Sequence, residues 1–561
     1  MKKVEWEPST DGKNKRSTLA WLMSGLFGVL TGVCFVFGYQ LEKMDHIDLA
    51  DRNSLMILVC IIAVMAIDAI HVWEGYNNSK KGAKFLGFFN IKQLKEQSLS
   101  EAKTEVTKKD FLVKWLILVL LCLPVLLAEF PGFFVYDAQE ELNEVLTRSF
   151  STHHPLLHVF LLGGVIALCH KLTGSWNIGI FAYIFLQMLV ITAIFAYALC
   201  FLQKRGAGKK SRVLWLLYYG LFPTVVMFTL CSCKDGLFSA LLLLLTVFLF
   251  QLIDDTEAFL SDKCKFAAFI VTAVLMPLFR HNGFYAYLVF VPFALLYFRK
   301  KLKKALIAML VLPVVIYLVI NTIIGNAFSR EITHHQEMLT VPIMQLTRVY
   351  TYDRDSMTDE DIETLTSYIH AENLDLYSGR VSDLVKVGFN NQLYEEDSSG
   401  FWKLWFTYLK KKPMSYLNAW MLTCYGYVYP PANINVYKGT TVFTFTYDQS
   451  SYFGYEVELP GERHSLIPFI DSFYRYISIG SFHDDAPVAA IFLAPGLVLL
   501  LYVFVLFYRI SIKNISGVLP FLPMLLCFCT VLLGPTYLVR YVVYFWFCLP
   551  LLAIDTSVKF D

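Results

Sequence analysis

Residues 151–172 read STHHPLLHVFLLGGVIALCHKL, a pair of histidines followed by an apolar run long enough to pass for a membrane span. Whether this run crosses a bilayer or lies along its surface sets the sidedness of everything that follows it. Of the 561 residues, 56% are hydrophobic and 17% charged, and the mean hydropathy is +0.51. A soluble globular surface does not tolerate that balance, so the chain reads as a polytopic membrane protein. A hydrocarbon core about 30 Å thick needs about 20 mostly apolar residues per helix. Such windows fall near 17–38, 54–73, 111–131, 176–202, 212–230, 236–253, 265–280, 283–299, 304–325, 486–508, 516–534 and 538–555. They predict an all-α fold of about 12 transmembrane helices. Barrel strands would instead alternate apolar and polar residues, which sets an outer-membrane barrel aside. The first window follows charged residues as a signal peptide would, but it is long and ends in no small-residue cleavage site, so it reads as an uncleaved span.

Lys and Arg concentrate in cytoplasmic loops. The basic connections here are 2–16, 80–109, 203–212, 299–304 and 508–514. If 153–171 spanned the membrane, every later loop would invert, placing 203–212 and 299–304 outside. Laid on the outer face as a juxtamembrane helix, it leaves all five inside. His153, His154, His158, His170 and Lys171 agree, being costly on a lipid-facing surface. The predicted protein is a multi-pass cell-membrane protein with both termini cytoplasmic. Segments 132–175, 231–235, 280–283, 326–485 and 535–541 then open externally.

The chain divides into an N-terminal pair of spans with a basic loop (1–110), a transmembrane core (111–325), an external domain (326–485) and C-terminal spans (486–561). The external domain reads as mixed. Residues 359–377 have the pattern of an amphipathic helix, whereas 435–462 read as strands or extended loop. It contains one cysteine, Cys424, and so no internal disulfide. Cys231 and Cys233 read as small packing residues, since no second ligand pair follows them. The net charge of +2 and the absence of a basic groove exclude nucleic acid as a partner. No nucleotide-binding glycine loop is present.

Charged residues in the spans sit almost entirely at the ends, apart from Asp68. At the predicted outer ends lie Asp137 and Gln139, His153 and His154, Lys234 and Asp235, Arg280 and Asn282, and Arg540 with Tyr541. Five separate pieces of sequence thus bring polar groups to one membrane surface. Two carboxylates and several cations at the lipid boundary suit a substrate whose phosphate sits among the headgroups. Arg and Lys neutralise phosphate, and a carboxylate accepts a proton or holds a divalent cation such as Mg or Mn. A departing lipid phosphate needs its negative charge stabilised more than protonated. Each residue also has a plainer reading. Asp137 is placed to cap a helix from 138, with Glu140 at the capping-box position. His153 and His154 could anchor a helix start, Asp235 could cap the next span, and Arg280 and Arg540 could snorkel to the headgroups. Gln345 and Arg348 fit a surface helix better than an acceptor site, and His483, Asp484 and Asp485 a solvated loop.

The order of an external Asp137, the HHPLLHVFLLG…HKLTG helix, a long span with a basic end and an external KDGLF resembles the GT-C glycosyltransferases. Protein O-mannosyltransferases and aminoarabinose transferases are members. The likeness covers roughly 111–325, with the rest similar in layout. The motifs Asp137…Gln139, HHPLLH, KDGLF and RHNG also resemble those of a branch of bacterial polytopic proteins. What the resemblance implies is a GT-C-like core that transfers a sugar from a polyprenyl-phosphate carrier to an external glycan, lipid or protein acceptor. Asp137 would take the catalytic carboxylate position, as base or metal ligand, and Asp235 the second acidic position. Gln139, His153, His154, Lys234, Arg280, Asn282, Arg540 and Tyr541 would bind substrate and phosphate. In this chain Gln139 replaces the second acid of the first loop, and HHP replaces a Lys-bearing motif. A lipid-linked-sugar flippase would place ions at mid-membrane on broken, repeated helices, whereas the predicted core spans from 176 onward are nearly free of charge at mid-depth and no repeat is apparent. A polysaccharide polymerase or ligase would use the same donors. A non-enzymatic scaffold would not need the charged cluster.

Overall fold

The computed structural model describes residues 18–78, 106–151, 153–328, 335–432, 457–478, 480–534 and 536–554. Among them the regular structure is helical, with isolated β-bridges and no β-strand. In chain order the principal helices are α1 (Thr18–Met44), α2 (Arg52–Asn78), α3 (Lys108–Ala128), α4 (Ala138–Thr147), α5 (Leu156–Thr173), α6 (Trp176–Lys204), α7 (Lys209–Leu221), α8 (Pro223–Thr229), α9 (Lys234–Asp254), α10 (Lys263–Phe279), α11 (Asn282–Tyr297) and α12 (Lys304–Phe328). They are followed by α13 (Thr340–Tyr352), α14 (Asp359–Tyr368), α15 (Ser398–Lys411), α16 (Pro413–Cys424), α17 (Pro468–Ser478), α18 (Pro495–Ser511) and α19 (Leu522–Val531).

Seven helices among the described residues are long and apolar enough to cross a membrane: α1, α2, α3, α5, α6, α9 and α12. The protein is therefore a multi-pass α-helical membrane protein. Several predicted windows take another form. The 212–230 window is a pair, α7 and α8, bent by 56°, because Pro223 cannot donate the helical hydrogen bond its position requires. The 538–555 window is a chain of short turns, Val539–Val542, Tyr544–Cys548 and Leu549–Ala553. Its backbone carbonyls are met by side chains: Tyr502 Oη donates to Phe545 O at 2.8 Å, Tyr219 Oη to Phe547 O at 2.7 Å, and Arg509 to Leu552 O and Ile554 O at 2.9 and 2.7 Å. Irregular backbone at membrane depth is stable only when so satisfied.

α9 is apolar all round and buried nearly all round, the expected character of a central helix. It packs against α6, α10 and the 539–553 segment. α5 fulfils the length criterion for a span, so length alone does not distinguish the two readings of residues 151–172. It runs antiparallel to α6, to which a short turn joins it. His158 meets Tyr183 and Ile166 lies against Gly179. The amphipathic pattern at 359–377 forms a helix over its first half only, α14, started by a capping box between Thr358 and Asp361; the chain then bridges from Ile369 to Phe389 and resumes as a short helix at Ala371–Leu374. Helices α13 to α16 share a separate core around Ile343, Met344, Phe401, Leu404, Tyr408 and Tyr416. The mixed character expected of 326–485 is replaced by helix in its described parts, and most of the stretch read as strands lies outside the described residues.

Candidate functional site: a carboxylate and arginine array

Extended backbone holds the site together. Residue Phe133 bridges in parallel to Cys231, with Ser232 N–H donating to Phe133 O at 2.9 Å. Glu458 N–H donates to Phe134 O at 2.7 Å. The loop before α4 is thus held by the loop before α9 on one side and by the chain near 458 on another. Two glycines permit this closeness. Gly132 has φ of +120° with its missing side chain filled by Ile184, and Gly236 lets the start of α9 meet the Phe228 carbonyl. Tyr136 and Asp137 then both adopt left-handed backbone, with φ of 59° and 71°. Such consecutive non-glycine residues cost about 1–3 kcal/mol each and concentrate at functional sites.

That turn decides what Asp137 does. Asp137 is the residue before α4, but its side chain makes no capping bond, and Glu140 reaches instead to His154 Nε2 at 3.3 Å. The capping-box expectation fails because left-handed backbone aims the carboxylate away from the helix amides. Asp137 Oδ2 accepts from Arg540 Nη1 at 3.1 Å and from Lys234 Nζ at 3.4 Å. Burial pushes the Asp137 carboxyl up, but the charges of Arg540 and Lys234 outweigh it and hold the group well below the usual carboxylate range. The side chain remains 21% exposed.

A line of groups joins it to the second carboxylate. Arg540 Nη2 donates to Tyr541 Oη at 3.2 Å, and its guanidinium lies 4.9 Å from the Tyr541 ring centroid. Arg280 stacks near the same ring at 4.7 Å and forms an ion pair with Asp235 Oδ1. Asp235 does not pair with its neighbour Lys234, which turns to Asp137 and Glu141, and Cys233, not Asp235, precedes α9. Arg280 and Arg540 are not snorkelling; both are engaged in the interior. Asp235 Oδ2 and Arg540 Nε are buried without a hydrogen-bond partner among the described residues.

Of the remaining expected residues, His154 is buried and takes Lys234 Nζ on Nδ1 at 3.2 Å. His153 is exposed, at the rim, with its ring against His154. Gln139 contributes its backbone N–H, which donates to Glu458 Oε2 at 2.9 Å. Asn282 turns aside, donating to Thr530 Oγ1 at 3.0 Å. The Asp137 carboxylate faces two cations, and the described residues hold no cluster of three His, Cys, Asp or Glu side chains suited to a metal.

Five participants were not among the site residues expected from the sequence. Glu141 and His158 are buried and paired through Nδ1, and His158 Nε2 lies 2.8 Å from Tyr183 Oη. Tyr183 donates to Gln187 Oε1 at 3.1 Å, while Gln187 Nε2 donates to the carbonyls of Thr229 and Cys231 at 3.1 and 2.6 Å. With the hydroxyl hydrogen of Tyr183 committed to Gln187, its oxygen accepts from His158 Nε2–H. Asp137/Glu141, His154/His158 and Tyr183/Gln187 are each four residues apart, a spacing present in the sequence, but only Tyr183 and Gln187 share a helix face. Glu458 is buried, and its Oε1 has no hydrogen-bond partner among the described residues. Burial, reinforced by the nearby charges of Asp137 and Glu140, pushes its carboxyl up to about 8.

Fold and site together define a multi-pass helical membrane protein with a paired-carboxylate, paired-arginine cluster where several of its helices end. The chain belongs to the DUF6020 family, a family of unknown function, whose model matches residues 146–559. His154, His158, Lys234, Asp235, Arg280, Glu458 and Arg540 lie inside the matched region, and Asp137 and Glu141 precede it. No curated protein and no solved structure matches the chain.

Proposed function

We propose that this protein is a GT-C-like glycosyltransferase that moves a sugar from a polyprenyl-phosphate carrier to a hydroxyl acceptor at the external face of the cell membrane. In this reading the chain crosses about 12 times, with both termini cytoplasmic, and α5 lies inclined at the external boundary. The observation that carries the proposal is Asp137, a partly exposed carboxylate on left-handed backbone, held between cations from two distant pieces of sequence. A purely structural ion pair needs no backbone strain and no exposure.

The chemistry divides between the carboxylates. A carboxylate held far below its usual range is a weak base, so Asp137 serves as a fixed anion that stabilises positive charge developing on the sugar. Glu458, whose affinity for a proton is matched to neutral pH, takes the proton from the acceptor hydroxyl. The acceptor oxygen bonds to the anomeric carbon as the bond to the phosphate oxygen breaks. The lipid phosphate departs with its negative charge met by Arg540, Arg280 and Lys234. No step is routed through a metal.

The test compares lipid-linked sugars and envelope glycans of wild-type and deletion cells by mass spectrometry. Loss of one glycan decoration with build-up of its lipid-linked donor on the outer leaflet is expected. Donor trapped on the inner leaflet would favour a flippase, and loss of polymer length a polymerase or ligase.

Glu458 supplies a pH prediction. A free glutamate titrates near about 4.3, so the folded protein binds this proton more tightly than the unfolded chain. The stability it contributes is present below about pH 4.3 and is lost as pH rises through about 8. In Glu458→Gln that decline should disappear from thermal unfolding curves, and the rise of transfer rate with pH should disappear with it. An unchanged pH profile for both would remove Glu458 from the mechanism.

A further inference from the structure

We propose that α17 is an interfacial helix that rests in the headgroup and upper acyl region of the lipid leaflet beside the site. Its surface divides into three sectors. Ile470, Tyr474, Ile477 and Ser478 face the protein, with the Tyr474 ring 6.2 Å from that of Phe133. Asp471 and Arg475 form an i, i+4 ion pair at 3.0 Å, and with exposed Ser472 they make a polar sector. The third sector is apolar and bare. Phe469 is 76% exposed and Phe473 49%, with Leu466 and Tyr476 exposed in line with them. Val488, on the short helix Pro487–Ile491, and Phe492 just after it are also exposed.

An exposed aromatic face of this kind marks an interaction surface, and its position identifies the partner as lipid. The chain entering α17 is fastened to the end of α3, where the apolar run of that span stops. Leu466 N–H donates to Leu127 O at 3.1 Å and His464 N–H to Phe130 O at 2.9 Å, and Arg463 pairs with Glu129. α3 itself exposes Leu112, Val113, Leu116, Ile117 and Leu120, the surface a span offers to acyl chains. The apolar sector of α17 therefore sits at the height of the lipid boundary, where aromatic side chains and an in-plane amphipathic helix are stable. Polar residues on one flank and protein on the other leave the apolar flank for lipid. The same short segment holds Glu458 against the Asp137 loop, so leaflet contact and the candidate site share one piece of chain.

The test uses the full-length protein in phosphatidylcholine nanodiscs, with Phe469→p-benzoylphenylalanine and Phe473→p-benzoylphenylalanine as photocrosslinking variants. Glu372→p-benzoylphenylalanine, exposed on the unit formed by α13 to α16, is the control. Illumination is expected to produce phospholipid adducts at 469 and 473, read by mass spectrometry, and none above background at 372. A chain-to-chain crosslink in place of lipid adducts would make this face a contact between copies, and adducts at neither position would leave it facing water. Either result overturns the proposal, and neither bears on whether the protein transfers sugar.

Discussion

Asp137→Asn is expected to lower the rate of sugar transfer by about 10²–10⁴-fold, the range typical of removing a group that acts on the transition state, while leaving the folded protein at wild-type levels. The substitution isolates charge from shape. Asparagine matches aspartate in size and tolerates left-handed backbone better than other non-glycine residues, so the turn at Tyr136–Asp137 survives. Its amide oxygen can still accept from Lys234 or Arg540. What is lost is the negative charge between two cations 3.4 and 3.1 Å away. Because the side chain is 21% exposed, water compensates part of that loss in the folded state, which limits the effect on stability. In cells the variant should accumulate the same lipid-linked donor as the deletion. Wild-type glycans in Asp137→Asn cells, at matched protein levels, would remove Asp137 from the catalytic site and return the cluster to a structural role.

The second large effect concerns stability. Glu141→Ala should destabilise the fold by about 3–5 kcal/mol, the cost of breaking a buried ion pair by removing one partner. Glu141 is 1% exposed, and its two oxygens face His158 and Lys234, so alanine leaves the buried His158 without its carboxylate and Lys234 with Asp137 alone. Burial opposes ionisation of Glu141, but His158 and Lys234 overcome it and hold its carboxyl at about 2. A free glutamate titrates near about 4.3. The folded state therefore favours the ionised form, and the stability Glu141 contributes is present above about pH 4.3 and is lost as pH falls through about 2. Thermal unfolding of purified protein across acid pH should show a wild-type loss that Glu141→Ala lacks. A double-mutant cycle with His158→Ala measures the coupling directly, and additive effects would show that the pair does not act as a unit.

The helical, membrane-embedded class follows from composition and run length, because lipid leaves a polypeptide few ways to satisfy its backbone. Five sequence pieces were also legible as polar ends, and the structure gathers Asp137, His154, Lys234, Asp235, Arg280, Arg540 and Tyr541 among them. Hydropathy could not show that windows such as 212–230 and 538–555 break into shorter turns. There the decision rests on Pro223 and on distant tyrosine and arginine side chains that accommodate freed carbonyls. The partners within the cluster were equally out of reach. Local pattern made Asp137 a helix cap and set Asp235 beside Lys234, whereas a left-handed turn and three extended segments re-pair them with Arg540, Lys234 and Arg280. Glu458 illustrates the limit most sharply, since nothing near it in sequence distinguishes it from a surface glutamate. The sequence by itself determined which residues are too polar to face lipid; only the tertiary structure decided their partners, because an ion pair depends on distances of a few ångströms between groups that lie 45 to 403 residues apart in the chain.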